Sequence, residues 1–245
     1  MIHAPEVAEG DLVVEIGPGK GALTKPLLET GAKVIAFELD MRMIEFLQVE
    51  LAEYMSSGQL VLIHQDVLDI NMQEFFQDKM PYKVVANIPY YITNAIIRKF
   101  LETDFQPSDM SLLMQKEVAE RIVLRDGKQS ILALSVSLFG EVDYVSKVSR
   151  KYFSPSPKVD SAIIHIGNIS HAKIPNIKNQ ELFFLLIKTA FSQKRKMAIN
   201  NLQKIATKDV WQDIFTQLGI SENARAEDIS LEYWIDIVLL YQNRK

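Results

Sequence analysis

Leu12-Val13-Val14-Glu15-Ile16-Gly17-Pro18-Gly19-Lys20-Gly21 decides the architecture. A short apolar run leads straight into a loop with glycine at every second position. Such a run reads as a strand buried on both faces, and the glycines read as a tight turn into a helix. Working outward, Gly21–Glu29 carries a helical pattern, Val34–Phe37 is the next strand, and an amphipathic helix is predicted from Met41 to about Met55. Leu60–Ile63, Val84–Ala86 and Ser111–Met114 repeat the strand signature, with helices over Asn94–Leu101 and from Glu117. This alternation predicts an α/β fold with an open, mostly parallel sheet covered on both faces.

Ser130–Phe139 reads as a further helix, and Asp143–Val148 and Ala162–Ile166 as two late strands. A Ser/Pro-rich stretch joins these strands, so they are expected to pair as an antiparallel edge. Beyond Gly167 the periodicity is helical only: Leu182–Phe191, Met197–Ile205, Val210–Leu218 and Leu231–Tyr241. The polar segment Asn168–Asn179, with Pro175, suits a linker. Two domains are expected, residues 1–168 and a small all-helical C-terminal domain over 169–245.

The 245 residues are 48% hydrophobic and 24% charged, enough apolar material for a sizeable core. With no cysteine, disulfides and cysteine-held metal centres are excluded, and no metal is expected. No secretory signal and no apolar run of membrane-spanning length is evident, so a cytoplasmic protein without membrane contact is expected. The net charge of −4 hides a polarised chain. Between Tyr144 and Lys208 basic residues outnumber acidic ones 12 to 2, against 15 to 29 elsewhere. A positive face for phosphate fits that distribution, and scattered solvated lysines are the plainer alternative.

Glu15-x-Gly17-x-Gly19-x-Gly21 between a strand and a helix allows close backbone approach to a ligand. Lys20 is misplaced for a phosphate-binding loop, and the dinucleotide fingerprint fits imperfectly. The second strand ends in Glu38-Leu39, where a carboxylate can accept from both ribose hydroxyls. The third leads to Asp66-Val67, where Asp66 can accept from an adenine amino group. The plain alternative is a pair of surface carboxylates at strand ends. An adenosine ligand unites them, and a nicotinamide cofactor and S-adenosylmethionine share these features.

Asn87-Ile88-Pro89-Tyr90, at the tip of the fourth strand, favours S-adenosylmethionine. The Asn87 side-chain oxygen and a backbone carbonyl of Ile88 or Pro89 can accept the two hydrogens of an adenine amine. That aims the nitrogen lone pair at a sulfonium methyl, with acceptors placed where positive charge develops. Tyr90 can stack on the base, worth about 1–3 kcal/mol, once the base is unpaired. A strand-ending turn with Tyr90 in the core is the structural alternative. Phe153, on the proline-stiffened loop Tyr152–Val159, can close the other face of the base, or simply pack beneath the loop. Lys151 and Lys158 flank it for phosphate.

The chain resembles the ribosomal RNA adenine N6,N6-dimethyltransferases, most closely those acting on the small subunit. The resemblance spans Val14–Thr24, Glu38–Asp40, Asn87-Ile88-Pro89-Tyr90-Tyr91-Ile92-Thr93 and Met114–Val118, then Phe153–Ala162, Ala190–Lys196 and Arg225–Glu227. It implies a Rossmann-like S-adenosylmethionine-dependent methyltransferase fold. It implies Glu38 on the ribose, Asp66 on the cofactor adenine, Asn87, Pro89 and Tyr90 around the target amine, and Phe153 opposite. Glu15, Gly17, Gly19, Gly21, Leu39 and Val67 complete the expected cofactor set with Asn87. Lys194, Arg195 and Lys196 would contact RNA. Unaided, that run reads either as a solvated helix face or as a binding site, the first slightly more often.

The implied function is dimethylation of two adjacent adenines in small-subunit ribosomal RNA within an immature 30S-type particle, by a monomer. Family members usually open with a Gly-Gln-Asn/His-Phe-Leu segment, whereas ten residues precede Asp11 here, without that motif. A catalytically weakened assembly factor is therefore one alternative reading. A large-subunit methyltransferase conferring drug resistance is another.

Overall fold

The computed structural model describes residues 1–78, 81–174 and 176–244. Seven strands form one sheet in the order β3-β2-β1-β4-β5-β7-β6. They are β1 (Leu12–Ile16), β2 (Lys33–Glu38), β3 (Leu60–His64), β4 (Lys83–Asn87), β5 (Asp109–Gln115), β6 (Glu141–Val148) and β7 (Ser161–Gly167). The first five run parallel, whereas β7 is antiparallel to both β5 and β6. The late strands form the antiparallel edge that the Ser/Pro-rich connection implied.

Helices α1 (Thr24–Glu29), α2 (Met41–Glu50), α3 (Ala52–Ser56), α4 (Met72–Phe76) and α5 (Thr93–Leu101) connect the parallel strands, and α6 (Lys116–Ile122) follows β5. Val13, Val14, Val84, Val85 and Ala86 are wholly buried, as central parallel strands require. Each buried aliphatic side chain contributes about 1.5–3 kcal/mol relative to exposure. Under the start of β4, Phe76 stacks on Tyr82 with centroids 4.2 Å apart, and the Tyr82 hydroxyl donates to Phe105 O at 2.7 Å. The single helix expected over 41–55 is broken at Leu51, a buried residue in the core of this unit.

The chain divides into two compact units. The first comprises Met1–Glu120 and Gly140–Ser170, and the second Arg121–Phe139 and His171–Lys245. The segment around α7 (Ile131–Phe139) thus belongs with the helical unit, although the sequence put it in 1–168. The reason is its composition: Ile131-Leu-Ala-Leu-Ser-Val-Ser-Leu-Phe139 is apolar on every side and must be enclosed. Within the helical unit Phe139 meets the His171 ring edge-on at 5.4 Å, and Lys128 pairs with Asp228.

The rest of that unit is α8 (Ile177–Ala190), α9 (Ala198–Leu202), α10 (Lys208–Gln217) and α11 (Leu231–Gln242) around Trp211 and Trp234. Three residues expected in the linker, 177–179, instead open α8, and Pro175 lies outside the described residues. No described helix is long and apolar enough to cross a membrane.

Candidate active site

Parallel register brings the predicted residues to one edge of the sheet. Ile16 lies opposite Phe37 on β2 and Ala86 on β4. The next residue on each chain is therefore Gly17, Glu38 and Asn87, one row across neighbouring strands about 4.8 Å apart. Gly17 N–H extends the ladder to Phe37 O at 2.9 Å. The chain passes from β1 outward to β2 and β3, then returns to place β4 on the other side of β1. Such a switch point opens a crevice at the carboxyl ends of the strands.

Gly17, Gly19 and Gly21 all take left-handed φ, +67°, +55° and +80°. Their surroundings differ. A Cβ on Gly17 or Gly19 would meet nothing within 4 Å, while one on Gly21 would come within 2.9 Å of Leu47 Cδ2. The first two glycines face open space, and the third packs against α2. Glu38 ties this loop down: Oε2 accepts from Gly19 N–H at 3.0 Å, and Oε1 from the amides of Leu39 and Asp40 at 2.8 and 2.9 Å. Leu39 is 56% exposed at the rim.

Asp66 Oδ1 accepts from Leu68 N–H at 2.8 Å, capping the turn Val67–Asp69. Lys99, on α5, clamps the same turn by donating to the carbonyls of Leu68 and Ile70, each at 2.7 Å. No local signal marks Lys99, whose partners lie 29 and 31 residues away.

Glu15 lies beneath the loop, 1% exposed, with Oε2 lacking a hydrogen-bond partner. Burial pushes its carboxyl up to about 8, the adjacent Thr24 opposing and the Glu38 charge adding. It is therefore largely protonated at neutral pH. An orphaned buried oxygen, two glycines facing vacant space and two strand-end carboxylates fit an adenosine cofactor with a polar tail.

Asn87 is exposed at the end of β4, and its amide has no hydrogen bond among the described residues. Ile88 N–H donates to Leu113 O at 3.1 Å and its side chain is buried, which anchors the corner. Pro89 O accepts from Ile92 N–H at 3.1 Å, leading into α5. The Tyr90 hydroxyl pairs with Ser161 Oγ at 2.7 Å, so its ring is held at the corner and only partly buried. Tyr91, by contrast, is 84% exposed.

Ser161 opens β7 opposite Gln115, the last residue of β5. The antiparallel run of β7 therefore delivers the β6–β7 loop to the same edge as the corner. Phe153 is half-buried on that loop, without a direct ring contact to Tyr90 among the described residues. Lys151 and Lys158 are exposed. Asp160 organises the loop, accepting from Arg150 N–H at 3.1 Å and pairing with Lys147 at 2.8 Å. Ser161, Arg150 and Asp160 had no role assigned from sequence, since each acts through a partner set by β7 register or loop folding.

In the helical unit, Lys194, Arg195 and Lys196 do not lie on a helix face. They form the exposed turn between α8 and α9, lining a recess of about 610 Å³. Asn201 Nδ2 holds that turn by donating to Ala190 O at 2.6 Å and Gln193 O at 3.2 Å.

The sequence model of a family described as ribosomal RNA adenine dimethylase matches residues 1–243. A Fusobacterium nucleatum protein named ribosomal RNA small subunit methyltransferase A is 37% identical over 246 residues, spanning 100% of this chain and 91% of the relative. A Dehalococcoides mccartyi protein of the same name is 38% identical over 243 residues, spanning 98% and 82%. The crystal structure of a dimethyladenosine transferase from Plasmodium falciparum shares 26% identity at a TM-score of 0.82, over 99% of this chain and 94% of that one. The 23S rRNA methyltransferase ErmE shares the fold at a TM-score of 0.75 and 24% identity, over 97% and 93%.

Proposed function

Because the chain belongs to the ribosomal RNA adenine dimethylase family, whose members are S-adenosylmethionine-dependent methyltransferases, we propose that it dimethylates the N6 amines of two adjacent adenines in small-subunit ribosomal RNA. The single observation carrying this reading is the row Gly17–Glu38–Asn87, with an unpartnered amide beside a pinned aromatic ring. The substrate is the immature 30S-type particle, and the work is done in the cytoplasm.

S-adenosylmethionine, when bound, supplies an electrophilic methyl. Glu38 would hold the ribose hydroxyls, exchanging its bond to Gly19 N–H for them, and Asp66 the adenine amine through its unused oxygen. Gly17 and Gly19 give the cofactor tail its approach, with Glu15 beneath and Leu39 and Val67 against the adenine. On the substrate side, Tyr90 and Phe153 stack on the extruded base. Asn87 Oδ1 and the Ile88 or Pro89 carbonyl accept the N6 hydrogens and stabilise the positive charge that grows on nitrogen. Pro89 O already accepts one backbone bond, and its second lone pair serves the amine. The nitrogen's proton leaves from that pair of acceptors to water. Lys151 and Lys158, and in the helical unit Lys194, Arg195 and Lys196, take RNA phosphates.

Immature small subunits incubated with labelled S-adenosylmethionine should gain four methyl groups on two neighbouring adenines. No incorporation by protein that binds the cofactor overturns the assignment, and label on large-subunit RNA would redirect it.

A further inference from the structure

A polar cleft of about 440 Å³ opens beside the Asn87–Tyr90 corner, and the reading above uses none of its lining but Lys158, for an unspecified phosphate. The end of β5 (Gln115), the start of α6 (Lys116, Glu117) and the loop residues Arg150, Lys158 and Asp160 line it. Its position is fixed by register. Asn87 lies opposite Leu113, so Gln115 is two residues, about 7 Å, further along the neighbouring strand. Gln115 in turn lies opposite Ser161, whose hydroxyl holds Tyr90. Cleft and corner thus share a wall, one nucleotide step apart.

Its charges are not equivalent. Asp160 pairs with Lys147 at 2.8 Å, and Lys116 lies 3.6 Å from Glu120. Arg150 uses one guanidinium nitrogen on the Lys158 carbonyl at 3.1 Å, and neither Arg150 nor Lys158 has an ion-pair partner among the described residues. Arg150, whose charge also helps to lower Asp160, and Lys158 thus lie on the loop side of the cleft without an ion pair of their own, and amide and carboxylate groups lie on the other. That is the complement of a nucleotide: an anionic linkage at one end and a hydrogen-bonding base edge at the other.

We propose that this cleft seats the nucleotide next to the target adenine, its phosphate held between Arg150 and Lys158. The proposal takes its substrate class from the adenine-methylation reading. It adds Arg150 and Gln115 to the binding surface and gives Lys158 a defined neighbour rather than a general phosphate. A second contact point one step from the target would register the adenine pair on the enzyme, independent of the methyl donor.

The test uses the full chain and an RNA with two adjacent unpaired adenines, with each linkage around them replaced in turn by an uncharged methylphosphonate. Binding is read by fluorescence anisotropy and methyl transfer on the same samples. One neutral linkage should weaken wild-type binding about tenfold, the size of one charge-assisted contact. In the double variant Arg150→Gln/Lys158→Gln, the unmodified RNA should bind about tenfold more weakly, and that linkage should cost nothing further. Lys158→Gln alone, whose side chain holds no part of the loop, should give the same non-additivity at smaller size. A penalty that persists undiminished in both variants, or no single sensitive linkage in the wild type, overturns the subsite. Loss of methyl transfer with the binding pattern intact would defeat the catalytic reading and leave the subsite standing.

Discussion

The two halves of the active edge spend their hydrogen-bonding capacity differently. On the β1–β2 side, Glu38 accepts three backbone amides and binds strand, loop and helix start together. On the β4 side, the Asn87 side chain accepts none among the described residues, and the corner is held from behind by buried Ile88 and by the Tyr90–Ser161 pair. The cofactor half is thus part of the fold, whereas the base half carries a free acceptor ready for substrate. Substitutions on the first side should cost stability and cofactor affinity together. On the second they should cost turnover or RNA binding, with stability and cofactor affinity little changed.

Asn87→Ala gives the largest effect. The side chain is exposed and unbonded, so Tm should not move, while kcat falls about 10²–10³-fold through loss of a transition-state acceptor. Stopped-flow methyl transfer and thermal melts on one preparation check both. An equal loss in RNA affinity would place Asn87 in ground-state binding instead.

Glu15 puts the comparison on a pH axis. Its native-state value, about 8, lies above the ordinary 4.5. Between those values the folded chain keeps a proton that the unfolded chain has lost. Stability from this group is therefore greatest below about pH 4.5, falls as pH rises, and levels off above 8, by at most about 1.4 kcal/mol per pH unit. Asp11, Asp40, Asp160 and Asp228 are shifted below 3.8, so they act at more acidic pH and do not blur this window. In Glu15→Gln the fall in stability from pH 5 to 8 should be lost, leaving the opposite, rising slope of the Met1 amine, which burial lowers from 8.0. Urea melts at fixed pH values measure it, and an unchanged slope means that the carboxyl is ionised in the native protein.

Gly21→Ala and Gly19→Ala separate fold from ligand within the cofactor half. Both place a side chain at positive φ, but only Gly21 would also drive a methyl into the buried Leu47. Gly21→Ala should cost about 2 kcal/mol of stability. Gly19→Ala should cost about 1 kcal/mol or less and show mainly as weaker cofactor binding by calorimetry. Equal stability losses would mean that strain, not packing, dominates at both.

The same contrast explains what the sequence made legible. β1, β2 and β4 are near-continuous apolar runs that end at Gly, Glu or Asn, so their bounds could be read within a residue or two and their parallel arrangement from the alternation with helices, but not their order in the sheet. Short α4 was missed, although Asn71 caps it by accepting from the amides of Gln73 and Glu74, because five residues give no periodicity. The placement of α7 was misjudged because an all-round apolar helix says that it is enclosed and not by what. At the site, the glycines, Glu38, Asp66 and Asn87 stood out by lying at strand tips, which is a local property. Ser161 and Lys99 did not, because their roles come from partners 71, 29 and 31 residues away that only register and packing bring near.

The smallest effect is the most discriminating on the base side. Among the described residues the Tyr90 hydroxyl bonds only Ser161 Oγ, a group fully buried at the start of β7. If that bond serves to orient the ring, Tyr90→Phe, Ser161→Ala and the pair of changes together should each raise the RNA KM a few-fold. That corresponds to about 1 kcal/mol, the net worth of one such bond, with kcat nearly preserved. Tyr90→Ala, which removes the stacking face, should cost about 1–3 kcal/mol. The double variant matters most, because two groups that act only through each other lose their effect once. A Tyr90→Phe loss in kcat well beyond that of Ser161→Ala would show that the hydroxyl takes part in the transfer step. The base half would then hold a second polar group at work besides Asn87.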